Sequence, residues 1–555
     1  MVPHSADQPK PLAAALSAYR SGQLADSRRL CSRMLEDSPG HPGALQLMAR
    51  LSMEAGDGES ALEWLQQALD QTPENPQLLY DQAQLLLHLG RDQDARSRFE
   101  TILVRAPQHL QARLQLASSL HRDGHIEAAL GHYRQALEQA PELAELHCQI
   151  GVCEFQLGHP QAARGWFQSC LKLEPGHLDA LENLGRSELE AREFQAARDT
   201  LEAVLAKAPL RGQSHHLLGF VHLHLGDIEA AAGSFLAPVR ERFARHGPGG
   251  EEPADPDQVT ETKLRHDLEQ LEYLAQRDLL APQCRDLPLR FRQALASLPE
   301  SSPQRFFFRR PQVPGFVEYY NRLLEDYRPS RVPGGALNPG LDLAAIEAGF
   351  HRRGWVYFDD FLNPPALAAL QEFCRRTSLW FEKKFQHEVG ASLRNGFCCP
   401  LLLQIGEELR GAFPGIFGPH LFSGCFSYKY YQNDRDGHVH ADRGAVSLNF
   451  WPTPNAANLD PTRGGLVIWN QRVPAEYFYA SPEQIDRLHQ QLISAPGAQP
   501  ATIAYRCNRA MLFYSDVLHC SDRMRFRDGY ENRRVSITYL YGRPGDAHSL
   551  EAVLP

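Results

Sequence analysis

Through the first half of the chain, apolar positions recur at helical spacing in blocks that repeat roughly every 34 residues. Prolines stand at Pro39, Pro73, Pro107, Pro141, Pro175 and Pro209. Glycines keep the same step at Gly22, Gly56, Gly90, Gly124 and Gly158, give way to Arg192, and return at Gly226. Small residues hold a third phase from Ala15 and Ala49 to Gly185 and Gly219, and Ala61, Ala95, Ala129, Ala163, Ala197 and Ala231 hold a fourth. Each phase has a physical reason. Small residues let two antiparallel helices approach, glycine permits the turn between them, and proline stops the second helix. Large apolar side chains such as Leu65, Phe99, Tyr133 and Phe167 are placed to fill the space between neighbouring units.

After this the texture changes twice. The run His246 to Asp257 (HGPGGEEPADPD) reads as an exposed linker, set at 244–257. A helical stretch is predicted for about Gln258–Ala296, then an irregular proline-rich segment to Pro339, so 258–340 is a connecting region. From about Leu341 the pattern is that of strands: GWVYFDDFL, CFSYKYYQ, AVSLNFW, GGLVIWN, PATIAYR, AMLFY and RRVSITYLYG. One helix interrupts them, NPPALAALQEFC, with Asn363 as its cap and prolines in its first turn. Helices first and strands afterwards predict a multidomain chain: an all-α superhelix, then an antiparallel double-stranded β-helix or jelly roll with packing helices, over 341–546.

Bulk properties add little. At 555 residues the chain exceeds one hydrophobic core. A net charge of −10 gives no basic footprint for nucleic acid. No apolar run approaches the roughly 20 residues that span a bilayer, and the N-terminal MVPHSADQPK lacks the pattern of a signal peptide. Eleven cysteines without CxxC spacing fit reduced thiols, so a cytoplasmic location is expected, with no membrane partner.

The repeating pattern resembles the tetratricopeptide repeat family over residues 8–243, about six or seven repeats ending in a degenerate unit with Pro238 at an alanine-like position. The resemblance implies a groove that binds a protein or peptide. Helix phasing puts Gln77, Tyr80, Gln84, Gln111, Ser118, His121, Glu182 and Arg186 on or near it. Self-association and support of the second half are the alternatives, and the oligomeric state is not encoded.

In the strand-rich half, GHVHADRG contains His440 and Asp442, which share one side of an extended strand; Val517-Leu518-His519 follows well downstream, at a predicted strand end. Two imidazoles and a carboxylate with open positions suit a non-haem iron(II) centre. A bare HxD is weak, and the chain holds two others, His121-Arg122-Asp123 and His177-Leu178-Asp179, inside the repeats. Arg534 and Ser536 then lie on one face of the strand-like run that follows His519, where a guanidinium and a hydroxyl can take a carboxylate. This ordered set resembles the iron(II)- and 2-oxoglutarate-dependent oxygenases over roughly residues 345–545, nearest the prolyl-hydroxylase-like branch.

That resemblance implies His440, Asp442 and His519 as ligands of Fe(II), and Arg534, Ser536 and Tyr430 as the seat of 2-oxoglutarate. Dioxygen is the second cosubstrate, with ascorbate as a candidate accessory. It further implies a dioxygenase that hydroxylates a protein or peptide side chain recruited by the repeats. A small-molecule hydroxylase with repeats used for assembly, and a repeat scaffold with a silent oxygenase fold, stay open beside it. Arg533 is the alternative to Arg534. His438 could add a ligand or stand at the rim; Asn449 could touch cosubstrate or make a core hydrogen bond. Tyr431, Trp469 and the cluster His215, His216, His222 and His224 read as structural.

Overall fold

The computed structural model describes residues 11–245, 258–300, 307–382, 387–431, 437–474, 477–478 and 480–544. The stretch 246–257, read as a linker, lies outside them; residues 244–245, assigned to the same linker, are instead the end of the helix Ile228–Arg245. The chain divides into two compact units, Met1–Ser187 and Glu188–Pro555. The division thus falls inside the repeat array rather than at the glycine- and proline-rich stretch.

Fourteen helices run in order from Pro11–Arg20 to Ile228–Arg245. The turn inside each pair uses the expected left-handed residue, with φ between 73° and 84° at Gly22, Gly56, Gly90, Gly124, Gly158 and Gly226. Arg192, where the glycine is missing, takes φ 60° in the same place and accepts the steric cost. The small-residue phase is a matter of space. A Cβ on Gly151 would lie 2.6 Å from the ring of Phe167, and one on Gly219 would lie 2.7 Å from Phe235. Asn75 caps Pro76–His88 by accepting from the Gln77 and Leu78 amides, the sort of cap that stabilises a helix by about 1 kcal/mol. Pro238 sits inside the last, longer helix, whose Leu236 and Val239 press against Gly396.

The connecting region is more regular than the sequence suggests. Strand β1 (Gln258–Thr260) pairs antiparallel with β2 (Phe307–Arg309), so the predicted helical stretch begins as a strand and the irregular segment contains one. Thr260 then caps the helix Glu261–Gln276 by accepting from the Lys263 amide.

The β-rich part holds β3 (Trp355–Phe358), β4 (Glu388–Ser392), β5 (Phe422–Tyr430), β6 (Val446–Phe450), β7 (Leu466–Arg472), β8 (Pro500–Ile503), β9 (Ala510–Tyr514), β10 (Val517–Ser521) and β11 (Val535–Tyr541). They form two antiparallel sheets, one of six strands in the order β3-β9-β6-β11-β5-β4 and one of three, β10-β7-β8. Asn363 caps Pro364–Arg376 as predicted, accepting from the Ala366 amide. Alternation sorts the two faces of β11. Tyr539 and Tyr541 donate to the carbonyls of Leu402 and Gly406 in the helix Pro400–Ala412. Ser536 and Thr538 lie on the other face, opposite Tyr428 and Asn449.

Lys429, next to Tyr428 on β5, points to the opposite face and is only 2% exposed. Its ammonium donates to Tyr530 Oη at 2.8 Å and to the Cys374 carbonyl at 3.2 Å, against the rings of Tyr530 and Trp380. Burial pulls this lysine down to about 7. Unfolded, it would keep its proton to about pH 10.4. Between those values the unfolded chain binds more protons at this site, so the group's contribution to stability rises with pH and its penalty is fully present below pH 7. Lys429→Met should raise the denaturation midpoint at pH 7 and narrow its rise from pH 7 to 9. Denaturant titrations of both proteins at the two pH values check this, and an identical rise in both would contradict it.

Candidate metal centre

The sequence implied a strand for the segment carrying His440 and Asp442, but that segment belongs to neither sheet. His440 forms an isolated antiparallel bridge with His519, and each backbone amide donates to the other's carbonyl at 2.9 Å. Asp442 leaves that line and its amide donates to the Ser515 carbonyl. His519 stands in the middle of β10 rather than at a strand end. Its ring meets the edge of Phe513 from the six-stranded sheet at 4.7 Å between centroids, so the two sheets face each other here.

Three donor groups converge. His440 Nε2 lies 3.8 Å from Asp442 Oδ1, and His519 Nε2 lies 3.7 Å from Asp442 Oδ2. Among the described residues these three form the one group whose ligand atoms lie within 4.8 Å of one another. Both rings are oriented from behind: His440 Nδ1 donates to the His438 carbonyl and His519 Nδ1 to the Val517 carbonyl, each at 2.9 Å. That fixes the tautomer which leaves Nε2 as an electron-pair donor. Burial, helped by His440 and opposed by Asp442, pushes the His519 imidazole down to about 4, so it is neutral at pH 7. Ser447 Oγ donates to Asp442 Oδ2 at 2.7 Å and is itself bonded to Ser515 Oγ at 2.8 Å. His440 is 45% exposed at its side chain, whereas Asp442 and His519 are 7% and 5%. The site opens on the His440 side.

Arg534 precedes β11 and is 1% exposed. Its Nε donates to the Gly464 carbonyl at 2.8 Å and Nη2 to the Gly465 carbonyl at 2.9 Å. Nη1 is buried with no partner. The guanidinium lies 4.6 Å from the Tyr430 ring centroid. Gly465 is required for this: a Cβ there would lie 2.0 Å from the Ile503 carbonyl oxygen. Tyr430 Oη accepts from Ser521 Oγ at 3.1 Å, and Ser521 is two residues after His519 on β10. A short path of contacts therefore runs from the arginine through Tyr430 and Ser521 to the strand bearing His519.

Other candidates separate cleanly. Arg533 points elsewhere, bonded to Glu269 at 2.8 Å and stacked on Tyr431 at 4.5 Å. His438 serves His440 through its carbonyl and is not in the converging group. Asn449 Nδ2 donates to Thr538 Oγ1 at 2.8 Å, the core hydrogen bond considered for it. Within the repeats, His121 bonds Gln156, and His177 accepts the Ala180 amide and contacts Glu145. Both HxD decoys are thereby accounted for. His216 packs edge-on to Phe220 and Phe235, and His224 stacks on Phe194. Of the predicted groove residues, Tyr80 Oη accepts from Gln84 and its ring stacks on His109, while Gln77 bonds Asp81. Sequence reasoning missed Ser447, Ser515 and Ser521; hydroxyls carry no spacing signal of their own.

Sequence models of the tetratricopeptide repeat family match residues 18–85, 53–118, 114–177 and 182–242, so this part of the chain is a tetratricopeptide repeat array. No curated protein matches the chain. Among solved structures, the chain is similar to MamA (residues 41 to the end) from Desulfovibrio magneticus RS-1, with 19% identity, 31% of this chain and 96% of that one covered, and a TM-score of 0.29. It is similar to YrrB, described as a TPR protein with an unusual peptide-binding site, at 20% identity, 34% and 96% coverage and a TM-score of 0.31. A third is the C-terminal part of a TPR repeat-containing protein from Cytophaga hutchinsonii, at 12% identity, 41% and 94% coverage and a TM-score of 0.36. No helix among the described residues is long and apolar enough to cross a membrane.

Proposed function

We propose that residues 341–546 are a double-stranded β-helix oxygenase that uses Fe(II), 2-oxoglutarate and O2. In this reading the enzyme hydroxylates a protein or peptide side chain that the repeats recruit. Arg534 carries the proposal. A guanidinium is always charged, and a buried cation with no carboxylate beside it is costly unless a ligand supplies one. Arg534 has two nitrogens fixed by carbonyls, a third unpartnered, and no ion pair among the described residues. It stacks on Tyr430, whose hydroxyl is bonded to Ser521 on the strand of His519.

The donor set fits the metal as well. Two imidazole nitrogens and one carboxylate, gathered on one side, suit Fe(II) and leave positions open. When bound, iron would supply oxidative cleavage of 2-oxoglutarate and activation of O2 toward a substrate C–H bond. The chain's own residues would bind and orient. His440, Asp442 and His519 would hold the metal, and Ser447 would restrain the Asp442 carboxylate from rotating. Arg534, Ser536 and Tyr430 would hold the distal carboxylate, and the exposed edge of His440 would face the incoming side chain.

The test is iron-dependent release of CO2 and succinate from 2-oxoglutarate by the full chain, set against Asp442→Ala. Turnover by the wild type that falls to background in the variant is the expected result. Turnover equal in the two proteins, or absent in both with cell extract as substrate source, would sink the proposal.

A further inference from the structure

A position in the repeat array breaks its own rule. At the repeat step, the first helix of successive units places Met48, Gln82, Leu116, Ile150, Leu184 and Leu218 at one buried site. Five are large and apolar; Gln82 is an amide, 4% exposed. Its Nε2 donates to Gln66 Oε1 at 3.2 Å, and Gln66 in turn donates to Asp70 at 2.9 Å. These bonds settle which end of the amide is which, and they leave Gln82 Oε1 as a buried acceptor with no partner. An unsatisfied acceptor is a net cost that leucine would not incur.

Gln82 lines a depression of about 470 Å³ between the helices Gly58–Gln71 and Asp92–Arg105. Its charged lining is three carboxylates, Glu59, Glu63 and Asp94, against Arg91 and Arg98. Arg91 is already engaged by Asp94 at 2.8 Å and Glu59 at 4.0 Å, whereas Glu63 makes no ion pair among the described residues. Helical rotation of roughly 100° per residue puts Gln82 on the opposite side of its helix from Tyr80 and Gln84. The depression is thus distinct from the predicted groove.

We propose that this depression is a second binding site of the repeat array, for a primary ammonium group such as a lysine side chain. Its N–H groups would satisfy Gln82 Oε1 and its charge would meet Glu63. The site does not depend on the oxygenase reading. The test uses the full chain and capped pentapeptides of the form Gly-Gly-X-Gly-Gly with X as Lys, Glu or Leu, and n-butylamine, followed by NMR titration. The lysine peptide is expected to bind best, weakening with salt and at least about tenfold in Gln82→Leu, a typical loss for one charged hydrogen bond. Butylamine matching the peptide would assign the site to a free amine; a clear preference for the peptide assigns it to a polypeptide segment. Gln82→Leu should leave the thermal midpoint unchanged or raised. Equal binding of the lysine and leucine peptides, or undiminished binding by Gln82→Leu, would overturn the proposal, and so would a lowered midpoint, which would make the amide structural.

Discussion

Arg534→Met should raise the KM for 2-oxoglutarate on the order of a hundredfold while changing metal affinity little. Removing one partner of a buried, hydrogen-bonded charge pair costs about 2–5 kcal/mol, and Arg534 is the buried cation available to such a pair beside Tyr430. Arg533→Met should leave KM within a few-fold, because that guanidinium already belongs to Glu269 and Tyr431. Arg534→Lys should resemble Arg534→Met rather than wild type. A lysine cannot hold the Gly464 and Gly465 carbonyls with one edge and present another nitrogen inward. Steady-state decarboxylation gives the KM values, and anaerobic titration of the metal-loaded chain with 2-oxoglutarate separates binding from turnover. A large effect at Arg533 with none at Arg534 would reverse the assignment.

Much of the fold was legible along the chain, for unequal reasons. The repeats were readable because each phase answers to a local need, as Gly151 against Phe167 shows. Where the rule breaks at Arg192, the backbone absorbs the exception by taking φ 60°; at Gln82 it leaves a buried acceptor unpaired. Seven of the strands were visible as β-branched and aromatic runs. Strand β4 was not, because EVGAS has little apolar alternation and is specified by its register against β5. The helix Pro400–Ala412 was missed because Pro400 to Gly406 is an unbroken buried run, and its charged positions Glu407, Glu408 and Arg410 come only in its second half. The division of the chain at Ser187 was also hidden, because the last repeats share one hydrophobic cluster with the β-rich part, from Leu189 through Phe235 to Phe422. Which three side chains converge could be read from spacing, but the orientation of each ring depends on the carbonyls of His438 and Val517, which every residue possesses.

That dependence on unremarkable neighbours leads to a graded expectation for metal binding. His519→Ala should abolish measurable binding of Mn(II), or of Co(II) as a spectroscopic stand-in, because it removes one of the three donors that converge among the described residues and opens a void beside Phe513. Ser447→Ala keeps all three donors. It removes the hydrogen bond that holds Asp442 Oδ2 and leaves Ser515 Oγ without that partner. Loss of such an outer contact typically weakens metal binding by about 10–100-fold. Electron paramagnetic resonance of free Mn(II), or the visible bands of bound Co(II), reads both effects without turnover. Thermal midpoints of the metal-free proteins provide the control. If Ser447→Ala loses stability but binds metal as tightly as wild type, the serine pair supports the β6–β9 packing and does nothing for the carboxylate. If His519→Ala still binds metal tightly, the ligand set proposed for this chain is wrong at its most buried member.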